Sequence, residues 1–316
     1  MIYRELGRTG VRVSALALGT VELGQDYGIP APGQFGRPSE KEAIALVAAA
    51  IEAGINLIDT ARGYGQSETI LGQALKPYRR QVVIATKASL PHRKAGETPP
   101  PLREFMLAQL DDSLRALQTD YVDLWQIHNL DDAHLLSRPD DLAELLTLAR
   151  RSGKVRWVGA SVYGRETLVD CLATDLFDTL QVTYSILDQR LAKRVLPLAD
   201  QKKIGILARS VLLKGVLTDR ADFLPVPLDV VRQRSAMFRH LIPQFGLNFS
   251  PAQVAIAFAL AQPYLSSILI GVRTQAELLE NLQVLQVNLP EALLAQLYPL
   301  ALDDDDLLNP GTWGIP

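Results

Sequence analysis

The sequence has a single cysteine, Cys171, among 316 residues, so no internal disulfide can form. That cysteine lies in an apolar stretch with helical spacing and reads as packing. Histidine is also scarce, at four, and no cluster of His, Cys, Asp or Glu has metal-ligand spacing, so no metal is expected. Neither sign of charge dominates. The formal net charge is -3, which argues against a nucleic-acid partner or a membrane surface. Long apolar spans are missing as well. Leu241–Val272 carries no Asp, Glu, Lys or Arg, yet Pro243, Gln244, Asn248, Ser250, Pro251, Gln253, Gln262 and Pro263 cut it into pieces too short to cross a bilayer. The opening residues Met1-Ile2-Tyr3-Arg4-Glu5 lack the apolar core of a signal peptide. These absences lead to the expectation of a soluble, reducing, cytoplasmic setting. No protein partner is implied. The acidic run Asp303–Asp306 reads as solvated surface.

What is present is alternation. Tyr3–Leu6 and Val11–Ser14 flank Arg8-Thr9-Gly10, the pattern of a short hairpin. Eight β-rich runs follow: Ala15–Gly19, Asn56–Thr60, Val82–Lys87, Tyr121–His128, Val155–Ser161, Thr179–Tyr184, Ile204–Arg209 and Ser267–Gly271. Between them lie stretches with helical spacing. Lys41–Ala53 repeats apolar residues at Ala43, Ile44, Val47 and Ile51, and Leu102–Leu117 at Phe105, Met106, Leu110 and Leu114. Ser250-Pro251 is a helix start, with Ser as N-cap and Pro in the first turn. Strand–helix alternation implies a parallel sheet, and eight units match a closed barrel of roughly 250 residues plus insertions. A doubly wound open sheet is the rival, but no GxGxxG follows the first strand. No linker divides the chain. Residues 1–316 are therefore expected to form one (β/α)8 TIM-barrel domain with an N-terminal β-hairpin.

On such a barrel the chemistry gathers at the C-terminal strand ends. Asp59 and nearby Tyr64 follow the second strand, Lys87 ends the third and His128 the fourth. Ser161, Arg209-Ser210 and Gly271-Val272-Arg273 end the fifth, seventh and eighth. A phenol with a reference pKa near ~10 exchanges protons poorly at neutral pH, and a nearby ammonium stabilises its phenolate. Lys87 can supply that charge, Asp59 can hold Lys87, and His128 can hydrogen-bond a substrate oxygen. Such a set gives a proton to an alkoxide as it forms, or removes one in reverse. Each residue alone has a plainer role: a loop cap, a loop aromatic, a solvated charge, a buried imidazole. Their shared position on consecutive strand ends is what lifts them together.

These residues sit in motifs. Asp59-Thr60-Ala61-Arg62-Gly63-Tyr64-Gly65-Gln66-Ser67-Glu68 with Gly72, Ile84-Ala85-Thr86-Lys87, and Asp120-Tyr121-Val122-Asp123-Leu124-Trp125-Gln126-Ile127-His128 resemble the aldo-keto reductase family. The resemblance runs from Leu6-Gly7-Arg8-Thr9-Gly10 to Glu280-Asn281. It implies a catalytic tetrad of Asp59, Tyr64, Lys87 and His128, with Tyr64 as general acid/base, and a nicotinamide dinucleotide above the barrel. By the same resemblance Gly19 and Thr20 border the cofactor beside Asp59, while Ser161 and Gln181 meet the carboxamide. Ser210, Leu212 and Gly215 cover the pyrophosphate. Gly271, Arg273 and Glu277 lie toward the adenosine, and Glu280 and Asn281 meet the adenine. Two departures stand out. Val162 follows Ser161 where the family often has Asn, and Arg209 replaces the aromatic residue that commonly stacks on the nicotinamide.

A 2′-phosphate needs positive charge, whereas a bare 2′-hydroxyl is often met by a carboxylate. The guanidinium of Arg273 suits phosphate, so NADP(H) is favoured, with NAD(H) the alternative that Glu277 leaves open. The substrate is expected to be a small carbonyl compound or sugar. The segments Glu22–Pro38, Ala88–Pro101, Val211–Val231 and Leu302–Pro316 are expected to wall its pocket, with Tyr27, Trp313 and Trp125 as candidate lining aromatics. Two other readings remain at this stage. One is a cofactor-binding sensor or accessory subunit of the same fold. The other is a barrel isomerase or lyase using Lys87 as a Schiff base.

Overall fold

The computed structural model describes residues 1–91, 100–130, 133–136 and 139–316. The expected loop Ala88–Pro101 therefore lies largely outside the described residues. A two-stranded hairpin, β1 (Tyr3–Glu5) and β2 (Arg12–Ser14), precedes the barrel strands. These are β3 (Leu16–Gly19), β4 (Leu57–Asp59), β5 (Val83–Ser89), β6 (Val122–Leu130), β7 (Val155–Val162), β8 (Thr179–Thr183), β9 (Gly205–Arg209) and β10 (Ser267–Gly271). They are parallel and close in chain order, with β10 pairing back onto β3. Each of the eight expected strands is present, so the fold is the expected (β/α)8 barrel with its hairpin.

The helices are α1 (Val21–Gly24), α2 (Glu40–Glu52), α3 (Ser67–Ala74), α4 (Leu102–Leu117), α5 (Ala133–Leu136), α6 (Pro139–Arg151), α7 (Arg165–Thr174), α8 (Val195–Gln201), α9 (Asp229–Gln244), α10 (Pro251–Leu260), α11 (Gln275–Leu282) and α12 (Glu291–Leu297). Two of them, α2 and α10, start on a reciprocal side-chain cap. Ser39 accepts from the Glu42 amide while Glu42 reaches back to the Ser39 amide, and Ser250 and Gln253 repeat this reciprocal box at α10. Cys171 is fully buried in α7, where its role is packing. The expected loop Val211–Val231 is less irregular than its sequence suggests. It winds through three short 3-10 turns, and α9 begins inside it at Asp229. No described helix is long and apolar enough to cross a membrane.

Side-chain alternation along the strands makes two cores. Inside the barrel, Ala17, Leu57, Val83, Ala85, Leu124, Leu207 and Leu269 pack together, joined by Leu6 and Val13 from the hairpin. Outward residues such as Leu18, Ile58, Ile84, Trp125 and Ile127 pack under the helices. Trp125 is 1% exposed in that outer layer, so it does not line a pocket as expected. Its neighbours in β6 explain this: Leu124 faces in, and a strand residue one step away must face out. Trp313 also packs into the outer core.

The hairpin closes the N-terminal end of the barrel. Gly7 adopts φ +51°, and a Cβ there would lie 2.1 Å from the backbone nitrogen of Gly205, so only glycine allows this approach. Arg4 donates to the carbonyls of Leu260 and Leu265, and the Arg8 amide donates to the Lys203 carbonyl. Leu6, wholly buried, contributes on the order of 2 kcal/mol by removal from water.

Candidate active site

One step above the apolar layer, the inward positions turn polar. Asp59 follows Leu57 by two residues on β4, Lys87 follows Ala85 on β5, and Gln126 follows Leu124 on β6. The same parity brings Gln181 inward on β8. All four are buried. Lys87 Nζ donates to Asp59 Oδ2 at 2.5 Å, to the Thr60 carbonyl at 2.8 Å and to the Tyr64 hydroxyl at 3.4 Å. Asp59 Oδ1 accepts from Gln126 Nε2 at 3.1 Å and from Gln181 Nε2 at 2.8 Å. Every donor of the ammonium and both oxygens of the carboxylate are thus engaged.

Tyr64 reaches this cluster from the turn after β4, which is fixed by hydrogen bonds from the Tyr64 amide to Ala61 and from the Ser67 amide to Tyr64. Gly24 supports the turn from α1. A Cβ on Gly24 would strike the Tyr64 carbonyl at 2.0 Å. His128 meets Tyr64 edge-on, with ring centroids 5.6 Å apart and planes at 80°. The register between β6 and β7 shifts between Ile127 and Leu130, around His128, and Asn129 takes a left-handed φ of 50°.

The electrostatics assign different states to these groups. Burial pushes against the Lys87 charge, but the Asp59 carboxylate and the Tyr64 hydroxyl outweigh it and hold Lys87 above the ordinary lysine range. Burial, aided by the charges of Lys87 and Arg209, pushes His128 down to about 3, so the imidazole is neutral at neutral pH.

These four residues lie at one end of a cleft of about 560 Å³. Asp59, Tyr64 and His128 line it, with Lys87 buried behind them. Gly19 and Thr20 from the end of β3 and Ser161 and Gln181 from β7 and β8 also line it. Arg209 at the end of β9 and Ser210, Leu212 and Gly215 in the segment after it follow, then Gly271 at the end of β10 and Glu277, Glu280 and Asn281 on α11. Tyr27, Gln25 and Gln34 come from the expected first wall, and Gly311 comes from the tail.

Arg273 alone among the expected cofactor contacts does not face the cleft as the sequence suggested. Its backbone amide and guanidinium both donate to Glu277, at 2.7 and 2.9 Å, and Arg220 adds a third bond to the same carboxylate at 3.2 Å. The i, i+4 spacing of an arginine just before a helix and a glutamate in its first turn accounts for the pairing. Arg209 is held differently. Its guanidinium carbon sits 3.8 Å from the centre of the Tyr163 ring, and Nη2 donates to the Val162 carbonyl at 3.2 Å.

Four further residues at the site were not identified from sequence. Gln126 anchors Asp59. Asn129 donates its backbone amide to Ser161 Oγ at 2.9 Å, and its side-chain oxygen accepts from the same hydroxyl at 3.4 Å. Arg220 binds Glu277. Glu22 lines the cleft beside Gly271, and burial pushes its carboxyl up to about 7 against the pull of Arg220.

A closed parallel barrel with a Tyr–Lys–Asp cluster at its C-terminal mouth is the architecture of a carbonyl oxidoreductase. Comparison with known proteins defines the family. The family model described as "Aldo/keto reductase family" matches residues 15–300, and the chain belongs to that family of oxidoreductases, which use nicotinamide cofactors. It is 34% identical to aldo-keto reductase YhdN of Bacillus subtilis (strain 168) over 224 residues, covering 70% of this chain and 65% of that one. It is 30% identical to the NADH-specific methylglyoxal reductase of Escherichia coli (strain K12) over 316 residues, covering 91% of this chain and 94% of that one. Among solved structures, the holo form of aldo-keto reductase AKR11C1 from Bacillus halodurans superposes with a TM-score of 0.75 at 25% identity, covering 96% of this chain and 97% of that one.

Proposed function

We propose that the chain reduces a small aldehyde or ketone, or oxidises the corresponding alcohol or sugar, with Asp59, Tyr64, Lys87 and His128 as its catalytic tetrad. The observation that carries this reading is the set of three Lys87 bonds, because the third fixes a buried ammonium on the Tyr64 hydroxyl. A nicotinamide dinucleotide bound in the cleft would supply or take the hydride. The cleft fits such a group. Gly19 and Gly271 leave its floor without side chains, and Gln181 Oε1 takes part in none of the Asp59 bonds and can accept from a carboxamide.

The substrate oxygen takes a hydrogen bond from Tyr64 and a second from neutral His128. As negative charge grows on that oxygen, Tyr64 gives up its proton, and the ammonium of Lys87 stabilises the phenolate left behind. Asp59 holds Lys87 in place, and Gln126 and Gln181 hold Asp59. Tyr27, Tyr163 and Asn129 around the mouth suit a small polar carbonyl, a class consistent with the relative named as a methylglyoxal reductase. Arg273 alone suggested NADP(H). With both Arg273 and Arg220 already on Glu277, a 2′-phosphate must displace that carboxylate, whereas a 2′-hydroxyl can donate to it. This observation favours NAD(H).

The test follows oxidation of NADH and of NADPH with a panel of small aldehydes, in wild type and Tyr64→Phe. Turnover in wild type and a ~10²- to 10⁴-fold loss in the variant, with cofactor binding retained, is expected. Undiminished turnover by Tyr64→Phe would remove Tyr64 from the mechanism.

A further inference from the structure

Arg209 occupies an unusual electrostatic position. It ends β9 with its side chain in the barrel mouth, on the same cleft as Tyr64 and His128. Among the described residues it makes no ion pair. Two carboxylates of the cleft are engaged elsewhere, Asp59 on Lys87 and Glu277 on Arg220 and Arg273, and neither Glu22 nor Glu280, which also line it, pairs with Arg209 among the described residues. What holds Arg209 is uncharged: the Tyr163 face, the Val162 carbonyl and, at 3.4 Å, the Ser210 hydroxyl. Its Nε is buried without a partner. The full positive charge is therefore left uncancelled beside the reacting centre, and both His128 and Tyr27 feel it.

In the reading above the hydride donor lies in that mouth, because the carbonyl whose carbon takes the hydride is held through its oxygen by the Tyr64 hydroxyl. Its nicotinamide ring carries a positive charge when oxidised and none when reduced. An aromatic side chain presents a negative face to such a ring and favours the cationic form. A guanidinium does the reverse. We propose that Arg209 makes this site discriminate by redox state, favouring the reduced, neutral nicotinamide and disfavouring the oxidised, cationic one. The inference rests on the cofactor reading above. Its functional consequence lies in product release: after a carbonyl is reduced, the oxidised cofactor is held weakly and leaves readily, while the overall equilibrium is unchanged.

The experiment is equilibrium binding by titration calorimetry. NADH, NAD⁺, NADPH and NADP⁺ are each titrated into wild type, Arg209→Met and Arg209→Lys. Wild type is expected to bind the reduced member of a pair more tightly. Arg209→Met, which keeps length and loses charge, is expected to shrink the oxidised-to-reduced Kd ratio by ~10-fold or more, the scale of two unit charges in a partly screened pocket. Arg209→Lys is expected to restore most of the ratio. Arg209→Gln replaces the Met variant should that fail to fold. An unchanged ratio in the uncharged variant would overturn the inference while leaving the reductase reading intact. Failure of wild type to bind any of the four would overturn both.

Discussion

Two buried carboxylates sit at opposite ends of the same barrel, each held by cations, and they are built for different ends. At the N-terminal end, Asp123 is gripped by Arg79 at 2.9 Å and Arg156 at 3.0 Å, and it accepts from the Ile84 amide at 3.0 Å. The two guanidiniums sandwich the Tyr121 ring, with guanidinium carbons 3.9 and 4.3 Å from its centre. Arg79 also binds the Tyr121 carbonyl and the Thr119 hydroxyl. Planar cations that fork and stack leave little freedom. At the C-terminal end, Asp59 holds a lysine instead, a compact charge on a flexible stem, and one of its three bonds is long, at 3.4 Å to Tyr64. That slack bond can tighten as charge develops on the phenol. The lower cluster fixes strands, whereas the upper one keeps one contact in reserve for the proposed proton transfer.

This contrast can be broken by exchanging the insult. Lys87→Met is expected to lower kcat by ~10²- to 10⁴-fold. Asp123→Ala, which strands two cations at the lower rim, is expected to cost about 3–5 kcal/mol of stability with kcat changed by less than ~3-fold. Steady-state kinetics and urea unfolding on both variants decide it, and equal losses of activity in the two would erase the distinction.

A pH series sharpens it. His128 is held near 3 in the folded protein and returns to the ordinary value of 6.5 on unfolding. Between those values the unfolded chain binds the extra proton, so stability must fall as pH drops from about 6.5 toward 3. His128→Gln is expected to flatten that part of the urea-midpoint profile, whereas Asp123→Ala should leave the histidine contribution in place. A profile unaltered by His128→Gln would mean the imidazole is charged in the fold.

The smallest effect concerns Glu22. Its carboxyl titrates near about 7 in a cleft that must admit an anionic dinucleotide. Only the neutral form avoids repelling that anion, so cofactor Kd should rise a few-fold as pH climbs through about 7. Glu22→Gln should remove the trend. A pH-independent wild-type Kd would show that the carboxylate turns away from the ligand.

Much of this was legible because a barrel strand has period two. Once Lys87 and His128 are placed inward, Ala85, Leu124 and Gln126 follow by parity. The signal for Gln126 was therefore in the sequence, two residues before His128, and the same parity turns Trp125 outward. The capping residues Ser250 and Pro251 announced α10 for equally local reasons. Contacts between distant segments left no such trace. Arg220 and Glu277 are 57 residues apart, and Arg273 read alone looked free to meet a phosphate. The burial of Glu22 depends on how α1 lies against Gly271, which no spacing within either segment encodes. Asn129 escaped notice because it enters the site through a left-handed kink in the strand.

The saturation of Asp59 has a further consequence, for the way the site resets. With both carboxylate oxygens taken and two Lys87 protons fixed on Asp59 and Thr60, a proton at this centre has no rear exit toward the barrel interior. Below it lies the apolar layer of Leu57, Ala85 and Leu124, closed off by the hairpin. In the proposed mechanism, the proton that restores Tyr64 after each turnover would therefore arrive through the mouth of the cleft. On that mechanism, substrate entry, product departure and proton resupply would share one doorway, and the next cycle would begin only when all three had passed through it.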